Sequence, residues 1–147
     1  YQEKLSGLDD YRINTTIFPI HNLVTGKVLP LAIMLTYDQA WEAVFVGENS
    51  LVFLRKVPEN SAIIGSYAIR KEILFRTFIE AYNRMLKLYP SDYRALVTKA
   101  QLQEGVNDLL GAMESLKKAR AVNPGSLYAT ESLQRIIRKM SWTRRVE

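Results

Sequence analysis

The 147-residue sequence contains no cysteine, which excludes disulfide bonds and thiolate metal sites. This absence is compatible with a reducing and with an oxidising compartment. The sequence also lacks a long apolar run. The longest, Val28–Tyr37, has about half of the ~20 residues that a membrane-spanning helix needs, and Pro30 interrupts it. Because the first residue is Tyr1 and no signal-peptide pattern follows it, we expect a soluble fragment of a longer protein.

The residue types and motifs that catalysis needs are also scarce. His21 is the single histidine and lies in a predicted loop, without a second histidine or a placed carboxylate to make it a general base. Asp9 and Asp10 are adjacent, so in a helix their side chains point apart and do not share a proton. The sequence has no glycine-rich phosphate loop, zinc-ligand spacing or nucleophile elbow. We therefore predict no catalytic residue, no metal and no cofactor.

The whole chain has a formal net charge of +5, and its positive charge is concentrated in the second half. Residues 1–70 carry six Lys or Arg against seven Asp or Glu, whereas residues 71–147 carry fourteen against eight. A basic cluster near the end consists of Arg135, Arg138, Lys139, Arg144 and Arg145, with Trp142 among them. Such a cluster suits nucleic-acid phosphates or anionic lipid headgroups. Because the arginines span several faces of one predicted helix, we favour a solvated surface, keep an anionic membrane surface as an alternative partner, and place nucleic acid last.

Residues 1–57 are predicted to form a small α/β unit. Residues Ile13–Ile20 are β-rich, and Pro19 restricts them to a short or edge strand. Two further runs, Trp41–Gly47 and Ser50–Val57, are separated by a turn with the letters "GEN" and predict a β-hairpin. Short helices are predicted at residues 2–11 and 29–40.

Residues 58–147 change to a helical period and are predicted to form a helical repeat region with a C-terminal capping helix. Gly65-Ser66 predicts a break between a short helix and a longer one. Asp92 or its neighbour Ser91 begins the next helix, and Ser126 begins the last one. Together with the first unit, this pattern predicts the α+β class.

Two prolines, Pro90 and Pro124, are 34 residues apart and each ends an amphipathic run. Bulky and small residues recur between them at helical spacing, namely Leu96, Ala100, Ala112, Leu116 and Ala119. In this pattern the segment Tyr93–Pro124 resembles a tetratricopeptide repeat, a helix–turn–helix unit of the same period. The resemblance implies two antiparallel helices that approach closely through the small residues.

The segment departs from the tetratricopeptide pattern at three positions. Lys99 replaces the usual leucine, Gln103 replaces an aromatic residue, and Asn107 replaces a turn glycine. The first two reduce the apolar surface, and Asn107 is expected to take a left-handed conformation. Upstream, Phe78 and Met85 stand where small residues are usual, so the preceding helix is expected to pack differently.

The first half carries a second resemblance. Its hairpin has Trp41, Val44 and Phe45 at the places of a W-x-x-V-F-x-D/G-x-x-x-V-F-x-R pattern, and Val52, Phe53 and Arg55 follow in the same order, each one residue later. The segment looks like the one that follows the last membrane span in many bacterial polytopic, glycosyltransferase-like membrane proteins. The resemblance implies an extracytoplasmic location and helical repeats after the hairpin.

A candidate peptide-binding groove follows from the repeat resemblance, because the first helix of each stacked unit lines the concave side. Its predicted residues are Arg94, Val97, Thr98 and Gln101 on one helix and Tyr128, Glu131 and Arg135 on the last. Two arginines among mixed neighbours suit an extended peptide that carries a carboxylate. Val97 breaks the pattern of the family's carboxylate clamp, so chaperone-tail binding is not predicted. A structural spacer without a ligand is the alternative.

The sequence thus predicts a non-catalytic protein-interaction or scaffolding module, part of a larger bacterial membrane protein and on its extracytoplasmic side. The main alternative is an accessory domain of a membrane glycosyltransferase-like enzyme that positions a substrate or partner. A basic RNA- or lipid-surface binder is the third hypothesis.

Overall fold

The structure, a computed structural model, describes residues 7–8 and 10–143, with side chains up to residue 141. The helix predicted at residues 2–11 therefore lies largely outside the described residues. The chain divides into two compact units, Tyr1–Leu74 and Phe75–Glu147. The division comes later than the change of sequence period at residue 58. The reason is that a short helix after residue 60 contacts the sheet of the first unit.

A three-stranded antiparallel sheet organises the first unit. Its strands are β1 (Thr15–Pro19), β2 (Trp41–Val46) and β3 (Ser50–Arg55), in the order β1-β3-β2. Strands β2 and β3 form the predicted hairpin, with a bulge between Ala43 and Phe45. Strand β1 is an edge strand, as Pro19 predicts. Since all pairs are antiparallel, this unit is α+β and not α/β in the strict sense.

Large apolar side chains fill one face of this sheet. Trp41, Leu51 and Phe53 are buried, and the rings of Phe18 and Phe53 stack with their centroids 6.0 Å apart. Helices flank the sheet: α1 (Pro30–Tyr37), a 3₁₀ turn (Pro58–Asn60) and α2 (Ser61–Tyr67).

The break after α2 differs from the prediction. It comes at residues 68–70 and not at Gly65-Ser66, which stay helical. The Ile69 N–H donates to the Ala43 carbonyl over 2.8 Å, so the backbone pairs with β2 where the helix would otherwise continue.

Four helices follow: α3 (Lys71–Leu88), α4 (Tyr93–Gly105), α5 (Leu109–Val122) and α6 (Leu127–Thr143). Helices α4 and α5 form an antiparallel hairpin, because Gln103 bonds Ser115 near the turn while Leu96 packs with Ala119 at the far end. A three-residue turn joins them, in which Asn107 has a φ of 61°, the left-handed conformation that was predicted.

Small residues form the seam of this hairpin. Ala100 and Ala112 are buried in one cluster with Leu116, and Leu133 and Ile136 of α6 join the same cluster. The predicted packing positions Ala100, Ala112, Leu116 and Ala119 are therefore all buried between helices.

Two positions that depart from the repeat pattern, Lys99 and Gln103, hold polar side chains that are partly or fully buried. Gln103 is buried, accepts a hydrogen bond from the Ser115 hydroxyl (2.7 Å) and donates to the Asp108 carboxylate (3.0 Å). Lys99 is half-buried, and burial, followed by the charge of Lys118, lowers its pKa. Phe75 of α3 lies over Gly105, where a Cβ atom would overlap its ring.

Candidate functional site

The predicted groove lies between α4 and α6, which start side by side. Asp92 caps α4 by accepting from the Ala95 N–H (3.0 Å), and Ser126 caps α6 by accepting from the Ala129 N–H (3.1 Å). The hydroxyls of Tyr93 and Ser126 are hydrogen-bonded at 2.5 Å, so the first turns of both helices are linked. Both predicted helix starts are confirmed.

Two side-chain contacts join the helices further along. The Gln101 amide donates to the Tyr128 hydroxyl (2.5 Å), and Glu104 forms an ion pair with Arg135. Contacts thus follow in the same order along α4 and α6, which means that the helices run in the same direction. Of the seven predicted residues, Gln101 and Tyr128 are brought into direct contact.

An open depression follows the exposed side of α6 next to these contacts. Its lining residues are Tyr128, Glu131, Ser132, Arg135 and Arg138. Successive residues of this set are three, one, three and three positions apart, so they occupy one stripe of the helix. The predicted residues of α6 therefore share one surface.

The predicted residues of α4 are distributed differently. Val97 is partly buried against the cluster of Leu96, Ala119 and Ala129, so it belongs to the packing between helices. Arg94 is exposed and Thr98 is half-buried, and neither lines the depression. The predicted pairing of Arg94 with Arg135 in one site is therefore not seen in this depression.

Three residues of this surface were not predicted. Ser132 is only 7% exposed, yet it lines the depression. Arg138 lines the depression as well, and Glu104 pairs with Arg135. The helical period contained a signal for two of them, since Arg138 follows Arg135 by three residues and Glu104 follows Gln101 by three. The position of Ser132 depends on how α6 packs, which the period alone does not give.

Arg135 is the best-anchored charge of the surface. Its side chain is 53% exposed and that of Glu104 is 19% exposed. The hydrogen bond to Glu104 raises the pKa of Arg135 further above its ordinary value. Arg135 is thus a permanent cation whose guanidinium is held in place by a carboxylate.

The other candidate residues from the sequence lie away from this surface or outside the described part of the chain. His21 forms an isolated bridge with Val28 in the first unit. Within residues 7–8 and 10–141, no three His, Cys, Asp or Glu side chains are placed to hold a metal ion. In the same part of the chain, every helix is too short or too polar to cross a bilayer. Of the predicted basic cluster, Arg144 and Arg145 lie outside the described residues, as does the side chain of Trp142.

No family model matches the chain, and no curated protein sequence matches it.

Proposed function

We propose that the second unit is a tetratricopeptide-like, non-catalytic protein-interaction module. The observation that carries the proposal is the surface of α6 beside α4, where Tyr128, Glu131, Arg135 and Arg138 line one open depression. Parallel first helices of successive repeats form such a surface in helical arrays. The 34-residue period and the buried alanine seam support the repeat assignment.

The ligand class follows from the charges of this surface. Arg135 and Arg138 are the basic lining residues and Glu131 is the acidic one, and Glu104 beside them pairs with Arg135. Guanidinium groups bind carboxylates by paired, charge-assisted hydrogen bonds, and Tyr128 offers a hydroxyl at the other end. The surface therefore suits an extended peptide segment that carries a carboxylate, and a short groove of this kind implies modest affinity.

We further propose that the chain is the extracytoplasmic part of a larger bacterial membrane protein. The hairpin pattern around Trp41 and Phe53 supports this proposal through its resemblance to glycosyltransferase-like membrane proteins. In that setting the module would hold a protein partner or position a substrate for the parent enzyme. Sequencing the reading frame upstream of Tyr1 tests this point, because the absence of apolar spans there would contradict it.

A peptide-library pull-down tests the binding proposal. We compare the wild type with Arg94→Ala, Arg135→Ala and Arg138→Ala, and use Arg120→Ala on the exposed side of α5 as a control with the same loss of charge. We expect the wild type and the control to enrich acidic peptides, and the Arg135 and Arg138 variants to recover less of them. The Arg94 variant separates the surface seen here from the wider groove that the sequence predicts.

Equal recovery of the same peptides by all variants would remove these arginines from recognition. Recovery of no peptides above background by the wild type would favour the structural-spacer alternative.

A further inference from the structure

A carboxylate of the chain itself already forms an ion pair with Arg135 of the proposed groove. Glu104, in the last turn of α4, accepts a hydrogen bond from the Nη1 atom of Arg135 and forms an ion pair with it. The pair joins two helices that are separated by one helix, α5, in the sequence. A carboxylate is also the group that the proposed peptide would bring to Arg135.

We propose that Glu104 is an internal competitor for the groove, and that ligand carboxylates bind by replacing it on Arg135. This inference rests on the proposed function, since it assigns a specificity-determining role within the same surface. The site for the incoming carboxylate consists of Arg135 and Arg138, with Ser132 one turn before Arg135 on the same stripe of α6.

The energetics make this replacement feasible. Arg135 is 53% exposed and Glu104 is 19% exposed, so water solvates the arginine well and the pair stabilises the protein only modestly. Loss of the pair therefore leaves the fold intact, since the buried cluster of Ala112, Leu133 and Ile136 holds α6 in place. An external carboxylate regains on Arg135 the hydrogen bond that Glu104 gives up.

Two neighbours define where the ligand carboxylate goes. Glu131 lies one turn before Arg135 on α6 and repels a second negative charge at that end. Arg138 lies one turn after Arg135 and attracts it. A bound peptide is thus expected to place its carboxylate between Arg135 and Arg138, with its less charged part towards Tyr128.

The test measures the binding of two capped tetrapeptides by NMR titration of the full chain. Acetyl-Ala-Ala-Ala-Ala with a free carboxylate offers only a terminal carboxylate, and acetyl-Ala-Glu-Glu-Ala-amide offers only side-chain carboxylates. The arginine Nε–H signals and the amide signal of residue 132 report the site. Comparison of the two peptides shows which source of carboxylate the groove takes.

Glu104→Gln removes the competitor and keeps the shape of the side chain. We expect it to tighten the binding of at least one peptide roughly three- to fivefold, the range that an exposed ion pair supports. Glu114→Gln is the matched control, because it removes the same charge from an exposed position of α5 that does not line the groove. It should change the affinity by less than about twofold at moderate salt. Arg138→Gln should weaken binding in both backgrounds.

Equal tightening by Glu104→Gln and Glu114→Gln would overturn the inference, since net charge alone would then explain the effect. Failure of both peptides to bind any variant would overturn it as well, and the library pull-down would still decide the proposed function. A thermal melt of Glu104→Gln close to that of the wild type shows that the fold is retained.

Discussion

The two units bury apolar surface by opposite means. In the first unit, large side chains such as Trp41, Leu51 and Phe53 fill the space on one face of a sheet. In the second unit, Ala100 and Ala112 are buried because helices approach closely there. Large residues stabilise by the area they bury, whereas small ones stabilise by the distance they allow. The two regions should therefore respond to opposite substitutions.

The units also treat buried polar groups differently. In the first unit the buried hydroxyl of Thr36 donates to the Ala32 carbonyl, one turn back in its own helix (2.8 Å). In the second, the buried pair of Gln103 and Ser115 connects two helices. A local bond satisfies a polar group, but a bond between helices also fixes their register. The bond between Gln103 and Ser115 thus fixes the register of α4 and α5.

The largest effect is expected in the sheet. Phe53→Ala should lower the free energy of unfolding of the first unit by about 3–5 kcal/mol, because it removes a fully buried ring and leaves a cavity. Urea unfolding followed by Trp41 fluorescence, in a Trp142→Phe background, measures this unit. Phe45→Ala is the control, since that ring is 51% exposed and its loss should cost no more than about 1 kcal/mol. Similar losses for both would show that the face of Phe53 is not the core.

The opposite substitution should matter in the helical unit. Ala112→Leu adds volume to a fully buried position and should cost about 1–3 kcal/mol by forcing α4, α5 and α6 apart. Ala121→Leu makes the same change on the exposed side of α5 and should have little effect. Urea melts followed by circular dichroism compare the two. A wild-type midpoint for Ala112→Leu would contradict the close seam.

Local signals in the sequence predict the elements of both units well. The turn "GEN", the caps Asp92 and Ser126, and the alanine spacing all depend on neighbours within one or two turns of chain. These signals specify the hairpins β2–β3 and α4–α5, because the two elements of each hairpin are neighbours in the sequence. The coarse α+β class follows from them.

The features that sequence did not give depend on distant partners. The break after α2 lies where Ile69 bonds Ala43, and no residue near Ile69 carries that information. Val97 was predicted to line the groove, but it packs against the cluster of Leu96, Ala119 and Ala129, to which α6 contributes Ala129. The pairing of Glu104 with Arg135 also needs the stacking of α6 on the hairpin. The helical period thus contained a signal for most residues of the site, whereas packing decided the position of Ser132 and the contact between Glu104 and Arg135.

The smallest predicted effect uses two helical glycines to compare the units directly. Glycine to alanine in a helix normally stabilises by up to about 1 kcal/mol, because alanine loses less backbone entropy on folding. Gly65→Ala in α2 should show this gain, since a Cβ atom there meets nothing within 4 Å. Gly111→Ala in α5 should instead cost about 1 kcal/mol. Its Cβ atom would overlap the Asp108 carboxylate and the Gln103 amide.

Both overlapping groups are ends of flexible side chains and can rotate away, so the cost of Gly111→Ala is not steric. It comes from the hydrogen bonds that Asp108 then loses, one from the Gly111 N–H (2.9 Å) and one from Gln103 (3.0 Å). An Asp108→Ala background tests this cause, because the penalty should largely disappear once those bonds are already absent. Hydrogen exchange of the α5 amides measures Gly111→Ala in the wild-type and in the Asp108→Ala background. A gain in protection for Gly111→Ala comparable to that of Gly65→Ala in α2 would show that the bonds between Asp108, Gln103 and α5 contribute little to the second unit.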